Sequence, residues 1–278
     1  MHSYGITIMA TKRIRAVLTL AVCLLALPAA AETVRAAGTG MGLALVRLLA
    51  EQYRREHPDA GVLVPQSVGT AGAVRGLASG KVDVGIMARS LRAGEVEGGV
   101  SIPICRTPLV FFINAGRKDV ALSHRDLPAL FGNSLPSFTG GEVRALLRPA
   151  SDAGFIRLLE IYPDLAPMVT AARDARGANL ALTDQDAMDA VEASHSLVAF
   201  GAFAPLLAEK RKLVAVPLDG VEPNVEALES GRYSHDVPVV LALAARPSAE
   251  ARAFVEYARS PAAAALLRAN GCLPAAGR

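Results

Sequence analysis

Short apolar runs alternate with amphipathic stretches along the chain, and this alternation constrains the fold more than any other feature. Residues 34–37 and 62–66 read as strands, and between them residues 43–55 repeat apolar side chains at helical spacing. Residues 109–114 are apolar throughout, which is typical of a strand buried on both faces. Strands that alternate with helices predict parallel βαβ units and an α/β fold.

The alternation continues to the C-terminus. The later predicted strands are 82–87, 143–148, 180–182, 197–200, 214–217 and 237–245. The predicted helices are 73–78, 127–131, 155–162, 165–172, 184–193 and 249–270, the last interrupted at residues 260–261. The strands at 109–114 and 237–245 are natural crossings between two doubly wound lobes. We therefore expect lobe I to comprise residues 32–112 and 238–278, and lobe II residues 113–237.

The N-terminus has the layout of a secretory signal peptide. Three basic residues precede the uncharged run 16–27, and Ala29 and Ala31 supply the small residues that signal peptidase reads. The run is shorter than the ~20 residues of a spanning helix. We expect cleavage after residue 31, a periplasmic mature protein and no membrane insertion. Lipidation at Cys23 is disfavoured, because this cysteine lies inside the apolar run.

Charge and cysteine content narrow the function further. The whole chain has 29 Lys and Arg against 26 Asp and Glu. Three of the basic residues lie in the predicted signal peptide, so the mature chain is close to neutral, which disfavours nucleic acid as a partner. Cys105 and Cys272 remain after cleavage. Export permits a disulfide, but their spacing matches no motif, so two buried thiols are favoured over a bridge.

Three turns of small or hydroxyl-bearing residues each follow a predicted strand and precede a predicted helix. They are Gly38-Thr39-Gly40-Met41-Gly42, Val68-Gly69-Thr70-Ala71-Gly72 and Arg148-Pro149-Ala150-Ser151-Asp152-Ala153-Gly154. Helix N-termini bind anions through free N–H groups and the helix dipole, and an arginine adds a bidentate contact. Thr70 and Ser151 are also ordinary helix caps. Together the turns predict an anion site at the converging strand ends of an α/β fold.

Signals for catalysis, cofactors and metals are weak. Leu43 stands where a dinucleotide fingerprint needs its third glycine, and no Gly-x-Ser-x-Gly motif occurs. The histidines lack the spacing of metal ligands, and Glu95 lies in a glycine-rich loop where we expect it to be solvated. We expect no enzymatic activity, no cofactor and no metal.

Further segments, in the same order along the chain, complete a pattern. They are Gly69-Thr70-Ala71-Gly72-Ala73-Val74, Gly80-Lys81-Val82-Asp83-Val84-Gly85, Ala88-Arg89-Ser90-Leu91, Leu147-Arg148-Pro149 and Gly231-Arg232-Tyr233. With the turn at residues 38–42, they make the mature chain resemble the phosphate-binding branch of periplasmic solute-binding proteins that feed ABC importers. The resemblance implies a monomer of type II periplasmic binding protein fold, whose two lobes are joined by two strands and close on a small anion.

The resemblance also implies a set of ligand-binding residues. They are Thr39, Gly40, Met41, Thr70, Ala88, Arg89, Arg148, Ser151, Asp152 and Gly154. Two departures put phosphate itself in doubt. Ala88 stands where phosphate binders of this family often place an acidic or hydroxyl side chain, and Ala153-Gly154-Phe155 replaces their Ser-Gly-Thr.

Three hypotheses follow. The first is a receptor that delivers a small, phosphate-like oxyanion to an ABC permease. The second is a transport-inactive protein of the same fold that acts as sensor or partner of a membrane signalling protein, a reading suggested by the altered loop at residues 153–155. The third, a secreted hydrolase, is the weakest because the chain lacks a recognisable nucleophile motif.

Overall fold

The computed structural model describes residues 33–117, 120–132 and 143–275. The strands in this part of the chain are β1 (Val34–Gly38), β2 (Val62–Leu63), β3 (Val84–Met87), β4 (Val100–Asn114), β5 (Arg144–Ala145), β6 (Leu197–Ala202), β7 (Leu213–Val216), β8 (Asp236–Leu243) and β9 (Leu273–Pro274). The α-helices are α1 (Gly40–Glu56), α2 (Gly69–Ala78), α3 (Leu127–Phe131), α4 (Ala153–Ile161), α5 (Ala166–Asp174), α6 (Asp184–Glu192), α7 (Phe203–Ala208), α8 (Val225–Glu229), α9 (Ala249–Tyr257) and α10 (Pro261–Ala269).

The predicted signal peptide, residues 1–31, lies outside the described residues. Within the described part, no helix has both the length and the apolar character that a membrane crossing requires.

The strands form one mixed sheet in the order β2-β1-β3-β8-β4-β6-β5, with β7 and β9 also paired to β4. Parallel pairing, as predicted, joins β1 to β2 and β3, and joins β5 to β6. The other pairs are antiparallel, because β4 and β8 run against each other through the middle of the sheet. The predictions of an α/β fold and of parallel βαβ units are confirmed, and the antiparallel pairs of β4 and β8 make the sheet mixed.

Strand β4 is more than twice as long as the predicted strand at 109–114. Its first half, from Val100, pairs with β8, and its second half pairs with β6 and β7. Proline removes a ladder donor and argues against a central strand, so Pro103 and Pro108 concealed the first half. The pairing with β8 tolerates Pro103 through a register shift between Pro103 and Cys105.

Two large hydrophobic cores lie along this strand. Ile104 and Cys105 of β4 belong to a core built with α1, β3, β8 and α9. Leu109, Phe111 and Ile113 belong to a second core built with α3, α4 and β6. The lobe boundaries drawn at 112/113 and 237/238 stay a prediction.

Cys105 and Cys272 form a disulfide, with their Cα atoms 5.7 Å apart. The preference for two free thiols was therefore wrong. Antiparallel pairing of β4 with β9 places Cys105 opposite Pro274, so the turn after α10 brings Cys272 to the strand. Sequence spacing carries no trace of this pairing, because 167 positions separate the two residues.

Several predicted boundaries move. Helices α1 and α2 begin at Gly40 and Gly69, where helices had been predicted from residues 43 and 73. Gly40, Gly42, Gly69 and Gly72 therefore lie in first helical turns, whereas Gly38 ends β1. The strand predicted at 143–148 shrinks to β5, and that at 180–182 is a single bridge between Leu147 and Leu180. The predicted break near residue 260 is confirmed: Ser260 accepts a hydrogen bond from the Ala263 N–H and starts α10.

Candidate functional site

The N-terminus of the 17-residue helix α1 is the centre of the candidate site. Strand β1 ends at Gly38, and the Thr39 backbone N–H donates to the Ile86 carbonyl of β3 at 2.9 Å. Thr39 is the N-cap residue, yet its buried side chain makes no capping hydrogen bond. The turn is thus held by its backbone, and capping by the Thr39 hydroxyl contributes nothing to it.

The side chains of Asp184 and Gln185, in the first turn of α6, lie against the N-terminus of α1. A Cβ added at Gly40 would lie 2.5 Å from both Asp184 Oδ2 and Gln185 Oε1. Glycine is therefore required at position 40, because any larger residue would push α6 away. The Asp184 carboxylate therefore lies at the N-terminus of α1. An acidic side chain of the protein itself thus occupies a helix N-terminus of the kind that binds anions.

Arg148 completes a buried charged cluster around Asp184. Its side chain is only 4% exposed, and its Nη2 lies 2.7 Å from Asp152 Oδ2 and 3.7 Å from Asp184 Oδ1. Among the described residues, its Nε and Nη1 have no hydrogen-bond partner. A buried donor left without an acceptor costs about 1–3 kcal/mol, and more on a charged group. This guanidinium therefore has donors to offer an additional acceptor.

Asp152 serves two partners at once. Its Oδ1 accepts from the Phe155 N–H at 2.9 Å, which caps α4, and its Oδ2 accepts from Arg148. Asp152 is therefore the N-cap of α4 and also orients Arg148, whereas Ser151 and Thr70, expected as possible caps, are not N-cap residues.

The pKa of the Asp184 carboxyl group is well above its ordinary value. Burial raises its pKa, the positive charge of Arg148 lowers it, and the neighbouring Asp152 carboxylate raises it again, to about 7. Desolvation is the largest of these effects. Near neutral pH this carboxyl group is therefore divided between its charged and neutral forms.

A cavity of about 310 Å³ lies beside this cluster, within the size range of small-molecule sites. Its walls come from α2, the loop after β3, and α4 with the loop before it. The lining residues are Thr70, Ala71, Ala88, Arg89, Arg92, Glu95, Ser151, Ala153, Ile156, Arg157 and Glu160. Four of the ten sequence-predicted site residues thus line one cavity.

The charges in this cavity are mostly paired within the protein. Both terminal nitrogens of Arg89 lie 2.8 Å from the Glu95 carboxylate. Arg89 lowers the pKa of Glu95 to about 2, so Glu95 is an ion-paired residue and not the freely solvated one expected. On the opposite wall, Arg157 donates to the Asp236 backbone carbonyl at 2.8 Å and to the Asp236 carboxylate at 3.2 Å.

Thr70 connects α2 to the loop after β3 through a hydrogen bond, in which its Oγ1 accepts from the Ala88 N–H at 3.3 Å. The hydroxyl hydrogen of Thr70 remains to be donated. Ala88 itself packs with Met41 in a small apolar cluster, against which Ala153 lies. Gly154 is part of the same contact, since a Cβ added there would lie 3.1 Å from Met41 Cε.

The structure thus distributes the ten residues between two adjoining places. Thr70, Ala88, Arg89 and Ser151 line the cavity, whereas Thr39, Gly40, Met41, Arg148, Asp152 and Gly154 belong to the buried part around the α1 N-terminus. Ala88 and Ala153 join the two, because they line the cavity and pack with Met41.

Sequence reasoning missed Asp184 and Gln185. The only local signal was the helix start: Thr183 and Asp186 form a capping box that places residue 184 in the first turn of α6. No metal-binding cluster of His, Cys, Asp or Glu occurs in the described part of the chain.

A family model for the PBP superfamily domain matches residues 26–262. The chain belongs to the PBP superfamily. No curated protein sequence shows significant similarity to this PBP-superfamily chain.

Solved structures similar to this PBP-superfamily member share its type II periplasmic binding protein fold. One is a Clostridium perfringens protein, described as a phosphate ABC transporter substrate-binding protein with bound phosphate (TM-score 0.76, 13% identity, covering 88% of this chain and 100% of that one). An ABC-type phosphate transport receptor from Vibrio cholerae is also similar (TM-score 0.60, 16% identity, 86% and 99% covered). So is the LysR family transcriptional regulator CbnR (TM-score 0.56, 17% identity, 89% and 76% covered).

Proposed function

We propose that the protein is a periplasmic receptor, without catalytic activity, that captures a small oxyanion and delivers it to an ABC permease. Export by the N-terminal signal sequence and action as a monomer are parts of this proposal. Both phosphate-transport proteins to which the fold is similar support it.

The observation that carries the proposal is the state of Arg148. Its guanidinium is 4% exposed, yet within the described residues Nε and Nη1 find no acceptor. Asp152 and Asp184 already balance the charge of this guanidinium, so a ligand has to supply acceptors for Nε and Nη1, and the oxygens of an oxyanion do so. The N-terminus of α1, which favours negative charge, adjoins the same guanidinium through Asp184.

Calorimetry on the chain from Glu32 onward, refolded to remove carried-over ligand and kept free of phosphate, tests the proposal. The panel comprises phosphate, sulfate, molybdate, methylphosphonate and acetate at equal concentration. Arg148→Lys preserves a positive charge for Asp152 but removes the guanidinium fork. We expect it to weaken binding of the best anion about 10- to 100-fold, the cost of one or more charge-assisted hydrogen bonds.

Arg252→Lys is the matched control, because the Arg252 guanidinium is exposed and, within the described residues, donates to the Pro247 carbonyl alone. Its affinity should equal that of the wild type. Binding of one anion with equal affinity by wild type and Arg148→Lys would refute the role of Arg148. Absence of binding for every anion in the panel would refute the receptor function.

The second candidate, a sensor or partner of a membrane signalling protein, is favoured by a specific observation. Arg89 and the α1 N-terminus already hold acidic groups of the protein itself, Glu95 and Asp184. The similarity to CbnR indicates that this fold also occurs in a regulator. A partner captured equally well with and without anion, from a protein that binds no anion in the calorimetry panel, would favour this candidate.

A further inference from the structure

Asp184 occupies a place that an oxyanion ligand would be expected to fill. Its carboxylate lies against Gly40 at the start of α1 and faces Arg148 across 3.7 Å. Its side chain is only 11% exposed, and Gly40 allows the approach because a Cβ there would be 2.5 Å from Asp184 Oδ2. Arg148 Nε and Nη1, which have no acceptor in the described part of the chain, are the independent sign that a ligand belongs beside it.

The charges around this point do not suit a multiply charged anion. Arg148 contributes one positive charge, and Asp152 and Asp184, when ionised, contribute two negative charges. A dianion placed against Arg148 would meet a cluster that is already net negative. Asp152 cannot leave easily, because it caps α4 and holds Arg148 in place. Asp184 is therefore the group whose charge decides whether an anion enters.

We propose that Asp184 is a specificity-determining residue: it holds the oxyanion position of the empty site, and an anion binds together with one proton that neutralises the Asp184 carboxylate. This inference rests on the proposed receptor function. The proton comes from solvent and ends on Asp184, where the neutral carboxyl group can donate it to a ligand oxygen. The ligand class is then a small oxyanion that accepts a hydrogen bond from a carboxylic acid.

Few other titratable groups near Asp184 could take up a proton when an anion binds. Asp184 lines a small cavity together with apolar residues and glycine: Phe112, Ala187, Met188, Phe200, Gly201, Ala202 and Pro205. The charged groups facing it are Arg148 and Asp152. Further out, Gln185 Nε2 donates to Glu209, which is paired with Arg211, and Asp186 on α6 is exposed.

Burial and Asp152 raise the pKa of Asp184 to about 7, in keeping with a carboxyl that takes up a proton near neutral pH. Above this pH the affinity of a fully ionised probe should fall, approaching a tenfold loss for each unit of pH. Below it the affinity should level off. Sulfate is the probe of choice because it stays fully ionised from about pH 5.5 to about pH 9, where Asp184 titrates.

The experiment is calorimetry with inorganic sulfate and inorganic phosphate at about pH 8, in two buffers of different ionisation enthalpy, which gives the number of protons taken up. We compare wild type with Asp184→Asn, which mimics the neutral carboxyl group. Wild type should take up about one proton more per anion than Asp184→Asn, whichever probe binds. Asp184→Asn should also bind about 10-fold more tightly at this pH.

The matched control is Asp186→Asn, which removes the same charge from the same helix at an exposed side chain and keeps an oxygen for the Thr183 cap. It should retain the proton number of the wild type. Equal proton numbers for wild type and Asp184→Asn, with anion binding intact, overturn the inference and leave the receptor function standing. If neither protein binds either probe at any pH, the inference fails, and the receptor function is then decided by the other anions of the calorimetry panel.

The wild type alone gives an independent readout if Asp184→Asn does not fold. A sulfate affinity that stays constant from about pH 6 to about pH 9 would overturn the inference. A decline confined to pH values above about 7 would support it.

Discussion

The buried carboxyl group of Asp184 should make the stability of the empty protein depend on pH. Folding carries this group from an ordinary pKa of 3.8 to about 7. The folded state therefore binds the proton more tightly than the unfolded state. Between about pH 4 and about pH 7 the folded chain keeps a proton that the unfolded chain has lost, so raising the pH lowers the free energy of unfolding.

The size of the effect follows from the two pKa values. Each tenfold change in a proton-binding constant corresponds to ~1.4 kcal/mol, so the wild type should lose on the order of 3–4 kcal/mol across this range because of Asp184. Asp184→Asn is uncharged at every pH and avoids that loss. The two proteins should be nearly equal near pH 4, and the variant should be more stable by roughly this amount near pH 8.

Urea unfolding followed by circular dichroism at several pH values measures the difference, provided that the slope of free energy against denaturant is unchanged. Asp186→Asn again serves as the control and should follow the wild type. The reasoning would be refuted if Asp184→Asn and wild type lost stability in parallel as the pH rises. A variant that is less stable than wild type near pH 8 would refute it too, because the charged pair of Asp184 with Arg148 would then be net stabilising.

Two further predictions concern the frame that holds the site. Replacing Cys105 and Cys272 together by alanine should lower the free energy of unfolding by about 2–5 kcal/mol, because the disulfide closes a loop with a sequence separation of 167. Equal urea midpoints for the oxidised wild type and the variant would contradict this prediction. Gly38→Ala should lower the free energy of unfolding by more than about 3 kcal/mol, because the new Cβ would lie 1.8 Å from the Ile86 carbonyl oxygen and would force β1 away from β3. A thermal midpoint equal to that of the wild type would contradict this prediction.

The fold was readable from the sequence where local pattern and tertiary environment agree. Periodicity predicted α3 at residues 127–131 as observed, and the Ser260-Pro261 pair located the break between α9 and α10, because an N-cap serine followed by proline starts a helix in any context. The first half of β4 was missed for the opposite reason. Its Pro103 violates the usual rule for central strands, and this half of β4 stays in the sheet through pairing with the distant strands β8 and β9.

The candidate site divides in the same way. The three turns could be found because small residues, hydroxyls and Arg148 stand next to one another in the sequence. The ion pair of Arg89 with Glu95 spans six positions through a loop, so nothing local indicated that Arg89 is already neutralised. Asp184 lies 36 positions after Arg148 and 144 after Gly40, and no helical or strand periodicity relates them.

This separation explains why the site could not be judged by matching its donors to those of an anion receptor. A comparison based on Thr39, Thr70 and Arg148 considers only the hydrogen-bond donors that the protein offers to a ligand. The charge already present is set by α6, whose first turn is brought against α1 because residue 40 is glycine. Gly40 therefore does more than allow a tight turn, because it leaves room for the Asp184 carboxylate at the N-terminus of α1. Since this carboxylate titrates near neutral pH, we expect the affinity of the site for an anion to depend on pH as well as on shape.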